Sequence, residues 1–188
     1  MNVDVERILL SEEQIEQKVK ELGRRISDDY EGKTPVIISV LKGSVVFVAD
    51  LIRTLECRCE MDFMIVSSFG SGVVSTGAVR IVKDLSISVE DRDLLVVEDI
   101  LDSGATLNYL KTLLMNRKPR SVRICTLLDK PARRTVDIRP DYTGFIIPDE
   151  FVVGYGLDYA EIYRNLPYIG VLKPSVYSPE HQRQLGLE

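Results

Sequence analysis

The stretch of the chain that most constrains its fold runs from Leu94 to Leu107 and reads LLVVEDILDSGATL. Its first four residues form an apolar, branched run with the length of a buried strand. Two acids follow, Glu98 and Asp99; the small residues of segment 102–106 then suit a tight turn, and a helical spacing of leucines begins behind them. A strand, a small-residue turn and a helix N-terminus together present backbone N–H groups to an anion. The stretch therefore predicts a cradle for a monophosphate.

The two acids beside this turn require a ligand that is more than a phosphate. Carboxylates repel a phosphate unless the ligand also carries hydroxyls that donate to them, or a bound Mg²⁺ that neutralises them. A sugar phosphate with a free diol meets that condition. The turn lacks the lysine and the length of a P-loop, and it lacks the glycine pattern of dinucleotide binding. The alternative is a solvated strand end at which Asp102 or Ser103 caps the helix.

Length and charge bound the class of protein. The chain has 188 residues, 45% of them apolar and 28% charged, which predicts one domain with a substantial core. A net charge of −5 argues against a broad basic surface for nucleic acid. No apolar run approaches the roughly 20 residues that span a membrane, and the acidic first ten residues do not resemble a signal peptide. We expect no nucleic-acid or membrane partner and a cytoplasmic location.

Histidine and cysteine usage excludes several kinds of site. The one histidine, His181, lies in a polar C-terminal tail, so a histidine-dependent nucleophile and a multi-histidine metal centre are both excluded. The three cysteines have no C-x-x-C spacing, which predicts a reduced protein without structural zinc. A metal here must be a hard cation held by oxygens, and acid–base work falls to Asp, Glu, Lys or Tyr.

Strand-like and helix-like runs alternate through the centre of the chain, which predicts an α/β fold with a mostly parallel sheet. A capping box at Ser11 and Gln14 begins the first predicted helix. The further predicted helices cover 45–55 and the segment up to about 116, and the predicted strands cover 36–41, 60–68, 79–82, 93–97, 121–128, 144–147, 151–153 and 168–172. Ligands of such sheets bind at the carboxyl ends of the strands. The residues that follow strand-like runs, and that we therefore expect at this edge of the sheet, are Lys42, Ser68, segment 98–106, Lys130 and Asp158.

Five segments carry a resemblance to a known family. LLVVEDILDSGATL closely resembles the phosphoribosyl-diphosphate signature of the type I phosphoribosyltransferases. Four more segments are similar to the bacterial hypoxanthine-guanine branch of that family: VLKGS at 40–44, SSFGS at 67–71, LLDKPARR at 127–134 and FVVGYGLDYAEIYRNLPYIGVL at 151–172. The resemblance implies a type I phosphoribosyltransferase fold, with a mostly parallel sheet flanked by helices and a small hood built from N- and C-terminal segments. We expect one domain over 1–188, with a core of about 30–148 and a hood of about 1–12 and 149–180.

The reaction that the resemblance implies is transfer of a 5-phosphoribosyl group from phosphoribosyl diphosphate to N9 of hypoxanthine or guanine. The products are IMP or GMP and diphosphate, Mg²⁺ is the cofactor, and the assembly is a homodimer or homotetramer. A xanthine-preferring enzyme of the same fold is an alternative. Another is a regulatory protein that binds phosphoribosyl diphosphate and controls transcripts, although the net charge gives it no basic RNA-binding surface.

For the sugar phosphate and the reaction itself, the resemblance implies roles for residues of the opening stretch. Asp102 is similar in position to the acid–base aspartate near N7 of the purine. The ribose and its 5′-phosphate are held by Glu98, Asp99, Asp102, Ser103, Gly104, Ala105 and Thr106. The implied ligands of Mg²⁺ are Glu98 and Asp99 for one ion and Asp158 for a second.

Residues outside that stretch are implied to bind the diphosphate and the purine. The diphosphate is held by Leu41, Lys42, Gly43 and Arg164, in a loop that can carry a non-proline cis peptide in the family. The purine is held by Lys130 at its O6, by Phe151 through stacking, by the backbone of Val152 and by Asp158. Taken singly, these residues have plainer explanations: an ordinary turn at 41–43, a surface lysine, core packing at 151–152 and solvated charges.

The segment from Ser67 to Thr76 is the lid that the resemblance implies, closing over the reacting groups. The family usually has Ser-Tyr where this chain has Ser68 and Phe69. The aromatic ring is kept and its hydroxyl is lost, so we expect Phe69→Tyr to change kcat/KM by less than about a hundredfold, or ~2.7 kcal/mol.

Overall fold

The computed structural model describes residues 2–68 and 79–178, which form two sheets and three α-helices. The strands are β1 (Val5–Leu10), β2 (Val36–Leu41), β3 (Glu60–Ser68), β4 (Val79–Lys83), β5 (Asp93–Leu101), β6 (Ser121–Asp129), β7 (Tyr142–Ile146), β8 (Val152–Val153) and β9 (Ile169–Leu172). The helices are α1 (Glu12–Asp29), α2 (Val45–Ile52) and α3 (Ala105–Met115), with a short 3-10 helix at Pro131–Arg133.

The larger sheet has six strands in the order β4-β3-β2-β5-β6-β7. All neighbours are parallel except β3 and β4, which are antiparallel. This confirms the predicted α/β fold with a mostly parallel sheet. Because β2, β5 and β6 run in one direction, the turns that follow them lie at the same edge of the sheet.

Helices cover both faces of this sheet. Helix α1 begins at the predicted capping box, in which Ser11 Oγ accepts from the Gln14 N–H at 3.3 Å and Gln14 Oε1 accepts from the Ser11 N–H at 2.8 Å. Its buried stripe packs with α2 against one face, and the leucines of α3 pack against the other. Alternate residues of β2 and β5 point into these two cores, which is why both strands read as continuous apolar runs.

A smaller antiparallel sheet joins the two ends of the chain in the order β1-β9-β8. Its inner face, which includes Ile169 and Val171, belongs to the same hydrophobic cluster as α1 and α2. Its outer face carries a separate cluster around Val153 and Leu172. This sheet is the small hood predicted from the N- and C-terminal segments, while the residue bounds of core and hood stay predictions.

The observed elements differ most from the predicted ones in three places, and other strand bounds differ by one or two residues. Helix α2 ends at Ile52 instead of residue 55, and beyond it Thr54 Oγ1 donates to the carbonyl of Leu51 at 2.7 Å. Strand β5 continues four residues past Val97 because it stays paired with β6 as far as Leu101. Strand β1 was not predicted as a strand. Among the described residues, no helix has the length and apolar character needed to cross a membrane.

Candidate functional site

The turns after β2, β5 and β6 bring most of the predicted site residues to one edge of the larger sheet. The hood approaches this edge closely: a Cβ added at Gly156 would lie 2.1 Å from the carbonyl oxygen of Gly43. Segment 155–164 of the hood therefore lies against the turn after β2.

The paired acids lie inside β5 instead of beyond its end. Glu98 is 8% exposed and lines a pocket of about 90 Å³ with Asp102, Ser103 and Thr106. Burial, followed by the charge of Asp99, holds the pKa of Glu98 well above its ordinary value. Burial also raises the pKa of Asp99, although its carboxylate accepts from the Ile100 N–H at 2.8 Å. Two carboxyl groups share an environment that disfavours their charged forms.

That environment fits a hard divalent cation, which prefers oxygen ligands and would favour the charged form of both acids. Within 2–68 and 79–178 no three or more His, Cys, Asp or Glu side chains are grouped to hold a metal. A cation at Glu98 and Asp99 would therefore take its remaining ligands from substrate and water. Asp158 does not join these two acids in a group of three, and its assignment to a second ion stays a prediction.

The phosphate turn has the predicted geometry with a different cap. Helix α3 has Gly104 as its N-cap, in the left-handed region at φ 85°. Asp102 does not cap the helix; Ser103 Oγ accepts from the Ala105 N–H at 3.4 Å. The first amide bonded within the helix is that of Asn108, so the N–H groups of the first turn lie at the helix start, where an anion binds.

Arg134 holds this turn in place and was not singled out from the sequence. Its guanidinium donates to the carbonyls of Asp102 at 3.0 Å, Leu101 at 3.2 Å and Ile138 at 2.7 Å, and it pairs with the Asp129 carboxylate. Nothing in the segment LLDKPARR distinguishes this arginine from its neighbour. Its three carbonyl partners come within reach only in the folded protein, where the turn after β5 packs against the segment after β6.

The neighbouring Arg133 contacts the predicted acid–base residue. Its Nε lies 3.3 Å from Asp102 Oδ1, and its Nη1 lies 3.7 Å from Asp149 Oδ1. The side chain of Asp102 remains partly exposed, although its Oδ1 atom is buried and has no hydrogen-bond partner in the described structure. It is thus available to a bound ligand while facing one cation.

The predicted diphosphate residues lie together. The Leu41–Lys42 peptide is cis, and a Cβ added at Gly43 would lie 1.8 Å from Asp99 Oδ2. Lys42 Nζ is 2.9 Å from Glu161 Oε2, which also lies 3.3 Å from Arg164 Nη2. Hydrogen bonds from Lys42 and Arg164 lower the pKa of Glu161.

Arg164 ties this group to the hood. Its Nη2 is 2.8 Å from Asp158 Oδ1, and its Nη1 donates to the Gly156 carbonyl at 2.8 Å. The arrangement places Arg164 and the turn that carries Lys42 near Asp99. Glu161 was not identified from the sequence, where it reads as one more solvated charge.

The predicted purine residues lie between β6 and the hood. Lys130 is 4% exposed and its Nζ donates to the Glu150 carbonyl at 2.9 Å, so the surface-lysine explanation is wrong. Phe151 is 39% exposed, while the side chain of Val152 is buried in the core as expected. Glu150 directly precedes Phe151, so the hydrogen bond from Lys130 to the Glu150 carbonyl holds the lysine next to the phenylalanine.

Two sequence-based assignments fall partly or wholly outside the described structure. Ser68 ends β3, but its side chain lies outside the described residues, as does Phe69 with the rest of the predicted lid. The single histidine, His181, also lies outside them. The assignments made for the lid stay predictions.

Comparison with known proteins places this geometry in context. The sequence profile described as "Phosphoribosyl transferase domain" matches residues 7–160. The chain is 58% identical over 177 residues to the hypoxanthine-guanine phosphoribosyltransferase of Bacillus subtilis, covering 94% of this chain and 98% of that protein. A crystal structure of a hypoxanthine phosphoribosyltransferase from Staphylococcus aureus superposes with a TM-score of 0.90 at 54% identity, covering 93% of this chain and 95% of that one.

A further relative is much longer than this chain. The bifunctional protein TilS/HprT of Listeria monocytogenes is 57% identical over 178 residues, which are 95% of this chain. The chain spans only 28% of the length of that protein.

Proposed function

The chain belongs to the phosphoribosyl transferase family, and we propose that it transfers the 5-phosphoribosyl group of phosphoribosyl diphosphate to N9 of hypoxanthine or guanine. The products are IMP or GMP and diphosphate. The observation that carries the proposal is the buried Lys130, whose Nζ is fixed on the carbonyl that precedes Phe151. A buried lysine is costly, and a donor fixed at the edge of an aromatic platform suits the oxygen of a 6-oxopurine.

The sugar phosphate occupies the edge formed by β5 and α3. The 5′-phosphate lies at the start of α3, where Ser103 and Thr106 add hydroxyl donors to the backbone N–H groups. Glu98 and Asp99 bind the ribose hydroxyls. A bound Mg²⁺ would be held by the same two acids, with Asp158 holding a second ion, and the metal would neutralise charge on the departing diphosphate.

Charge separates as the bond to the diphosphate breaks. Lys42 and Arg164 stabilise the negative charge on the leaving group, together with backbone N–H groups of the 41–43 turn. Glu161 holds both cations until the diphosphate replaces it. The hood, with the predicted lid over 67–76, excludes water that would otherwise hydrolyse the sugar diphosphate.

The base binds on the hood side of the sugar. Phe151 stacks on the purine, the backbone of Val152 contacts its N1/C2 edge, and Lys130 donates to O6. Asp102 accepts a proton from the base as N9 attacks the anomeric carbon. A single cationic donor at O6 disfavours the 6-amino group of adenine.

Several properties stay predictions. A homodimer or homotetramer, a cytoplasmic location and the absence of nucleic-acid and membrane partners are expected from the sequence and the family. A preference for xanthine is an alternative, and so is a regulatory role that keeps the phosphoribosyl-diphosphate site without turnover.

One assay tests the proposal. The protein is mixed with phosphoribosyl diphosphate, Mg²⁺ and either hypoxanthine, guanine, xanthine or adenine, and nucleotide formation is followed. We expect IMP and GMP, with adenine the poorest acceptor. Xanthine as the best base would favour the alternative enzyme, and binding of phosphoribosyl diphosphate without product from any base would favour the regulatory role.

A further inference from the structure

The aromatic platform proposed for the purine has a second aromatic ring behind it. The rings of Phe151 and Tyr177 are nearly parallel, with centroids 5.0 Å apart and an interplanar angle of 21°. The ring of Tyr159 meets Phe151 edge-on at 5.6 Å and 87°. Tyr177 therefore covers one face of the Phe151 ring, and Phe151 is still 39% exposed, which leaves part of the residue open to a ligand.

The backbone around Phe151 is fixed, but its ring depends on these two tyrosines. The Leu172 N–H donates to the Phe151 carbonyl at 2.8 Å, and Lys130 Nζ holds the carbonyl of Glu150. Neither bond restrains rotation of the ring. A ring left free must be ordered when a ligand stacks on it, and that ordering weakens binding.

Tyr177 is itself held from the opposite end of the chain. It follows Val176, which is buried in the outer hood cluster with Val5 and Leu172. The Lys173 N–H donates to the Asp4 carbonyl at 2.9 Å, and the Val176 N–H donates to the Lys173 carbonyl at 3.0 Å. The segment that carries Tyr177 is thus attached to the strand that begins the hood.

Resting on the function proposed above, we propose that Tyr177 is a positioning residue for the purine. It holds the ring of Phe151 in the orientation in which the open face receives the base, so that tyrosine, phenylalanine and purine form one continuous stack. Tyr177 acts on the base only through Phe151. The C-terminal segment after β9 thereby contributes to affinity for the base and leaves affinity for the sugar diphosphate unchanged.

The test compares three variants by steady-state kinetics. Tyr177→Leu removes the second ring, and Tyr177→Phe keeps it. Tyr168→Leu removes a ring of the same outer cluster that forms no ring pair with Phe151 in the described part of the chain. We expect Tyr177→Leu to raise the KM for hypoxanthine about 2- to 13-fold, the equivalent of ~0.5–1.5 kcal/mol for an aromatic pair, with the KM for phosphoribosyl diphosphate unchanged. Tyr177→Phe and Tyr168→Leu should both retain the wild-type KM for the base.

Other results would overturn the proposal in distinguishable ways. A lower KM for hypoxanthine in Tyr177→Leu would mean that Tyr177 occupies the face that the purine needs. Equal rises in both KM values, or the same rise in Tyr168→Leu, would mean that the ring only stabilises the hood. Wild-type protein without transferase activity would overturn the proposed function itself, whereas active wild type with an unchanged KM in Tyr177→Leu would overturn this inference alone.

A fluorescence measurement separates the contact from turnover. The chain has no tryptophan, so Tyr177→Trp introduces a single indole at the stack. We expect IMP to change the tryptophan emission of this variant. In the double variant Tyr177→Trp/Phe151→Leu, IMP at a saturating concentration should leave the emission unchanged. An unchanged emission with saturating IMP in the single variant would contradict the continuous stack.

Discussion

At the scale of single residues, Asp102 has the surroundings that the proposed reaction requires. Its side chain is partly exposed, faces Arg133 at 3.3 Å and does not cap α3. Its backbone carbonyl is held by Arg134 at 3.0 Å. The main chain is thus fixed while the carboxylate stays free to meet a ligand, which is the arrangement expected of a proton acceptor.

We therefore expect Asp102→Asn to lower kcat by roughly 10²–10⁴-fold, because an amide cannot accept the proton. Binding of IMP, measured by calorimetry, should be retained. Asp137→Asn is the control, since it removes an exposed carboxylate of a neighbouring segment without touching the proposed chemistry. Wild-type turnover in Asp102→Asn would remove this residue from the mechanism.

At the scale of elements, the turn between β5 and α3 depends on a glycine for two separate reasons. Gly104 has φ 85°, and a Cβ there would lie 2.6 Å from Ile138 Cγ2 and 2.9 Å from Val136 Cγ2. Gly32 has φ 70° with nothing within 4 Å of an added Cβ. The two positions share a backbone requirement, but only the first is also crowded.

Gly104→Ala should accordingly destabilise the protein more than Gly32→Ala. We expect the backbone strain alone to lower the free energy of unfolding by about 1–2 kcal/mol in Gly32→Ala. Crowding should lower it by a further ~1–3 kcal/mol in Gly104→Ala. Urea unfolding of both variants measures the difference. Gly104→Ala should also raise the KM for phosphoribosyl diphosphate; equal stabilities would contradict the role given to Ile138 and Val136.

The starts of β5 and β6 are joined by a buried carboxylate, away from the site. Burial alone would raise the pKa of Asp93, but hydrogen bonds from Ser121 Oγ at 2.6 Å and Arg120 Nη1 at 2.9 Å outweigh it and lower the pKa. The folded protein thus binds a proton at Asp93 less readily than the unfolded chain. The resulting stability is fully present above the unfolded pKa of about 3.9 and is lost as the pH falls through the lower folded pKa.

Asp93→Asn should therefore lower the free energy of unfolding by roughly 1–3 kcal/mol at neutral pH. The difference in this free energy between the variant and the wild type should shrink below about pH 4. Urea titrations between pH 3 and 7 measure this difference. Asp91→Asn removes the same charge from an exposed neighbour and should show no such convergence. A difference independent of pH would mean that Asp93 acts through packing alone.

Sequence patterns predicted the elements that neighbouring residues determine and missed those that depend on residues far away in the chain. Strand β2 has the predicted bounds, and the capping box of α1 is confirmed, because strand patterns and capping act within a few residues. Strand β1 has a burial pattern without clean alternation, and its pairing with β9 is interrupted by register shifts. Its strand structure depends on a partner more than 150 residues away, which no local pattern reveals. Arg134 and Glu161 were missed for the same reason.

At the scale of the whole molecule, the hood and the larger sheet share a core. Ile169 and Val171 of β9 pack in one cluster with Leu22 of α1 and Phe47 of α2. Because one continuous hydrophobic cluster fills the boundary between the hood and the larger sheet, neither of them unfolds independently of the other. This favours the single domain predicted from the sequence.

We expect a single cooperative unfolding transition in which far-UV and near-UV circular dichroism give the same midpoint. Val171→Ala, a change in the hood, should lower that common midpoint by the equivalent of roughly 1–3 kcal/mol. Two separated transitions, or a shift seen by only one probe, would show that core and hood unfold as separate units.

The pairing of β1 with β9 also sets the order in which a newly synthesised chain acquires its properties. Val5 pairs with Leu172, so β1 is synthesised well before the strand it pairs with, at a rate of about 5–20 residues per second. Residues 36–129, which supply the phosphate turn and the acids, are complete well before that point. The bond from the Leu172 N–H to the Phe151 carbonyl forms only afterwards. We therefore expect a nascent molecule to complete the proposed sugar-phosphate site before the proposed base site.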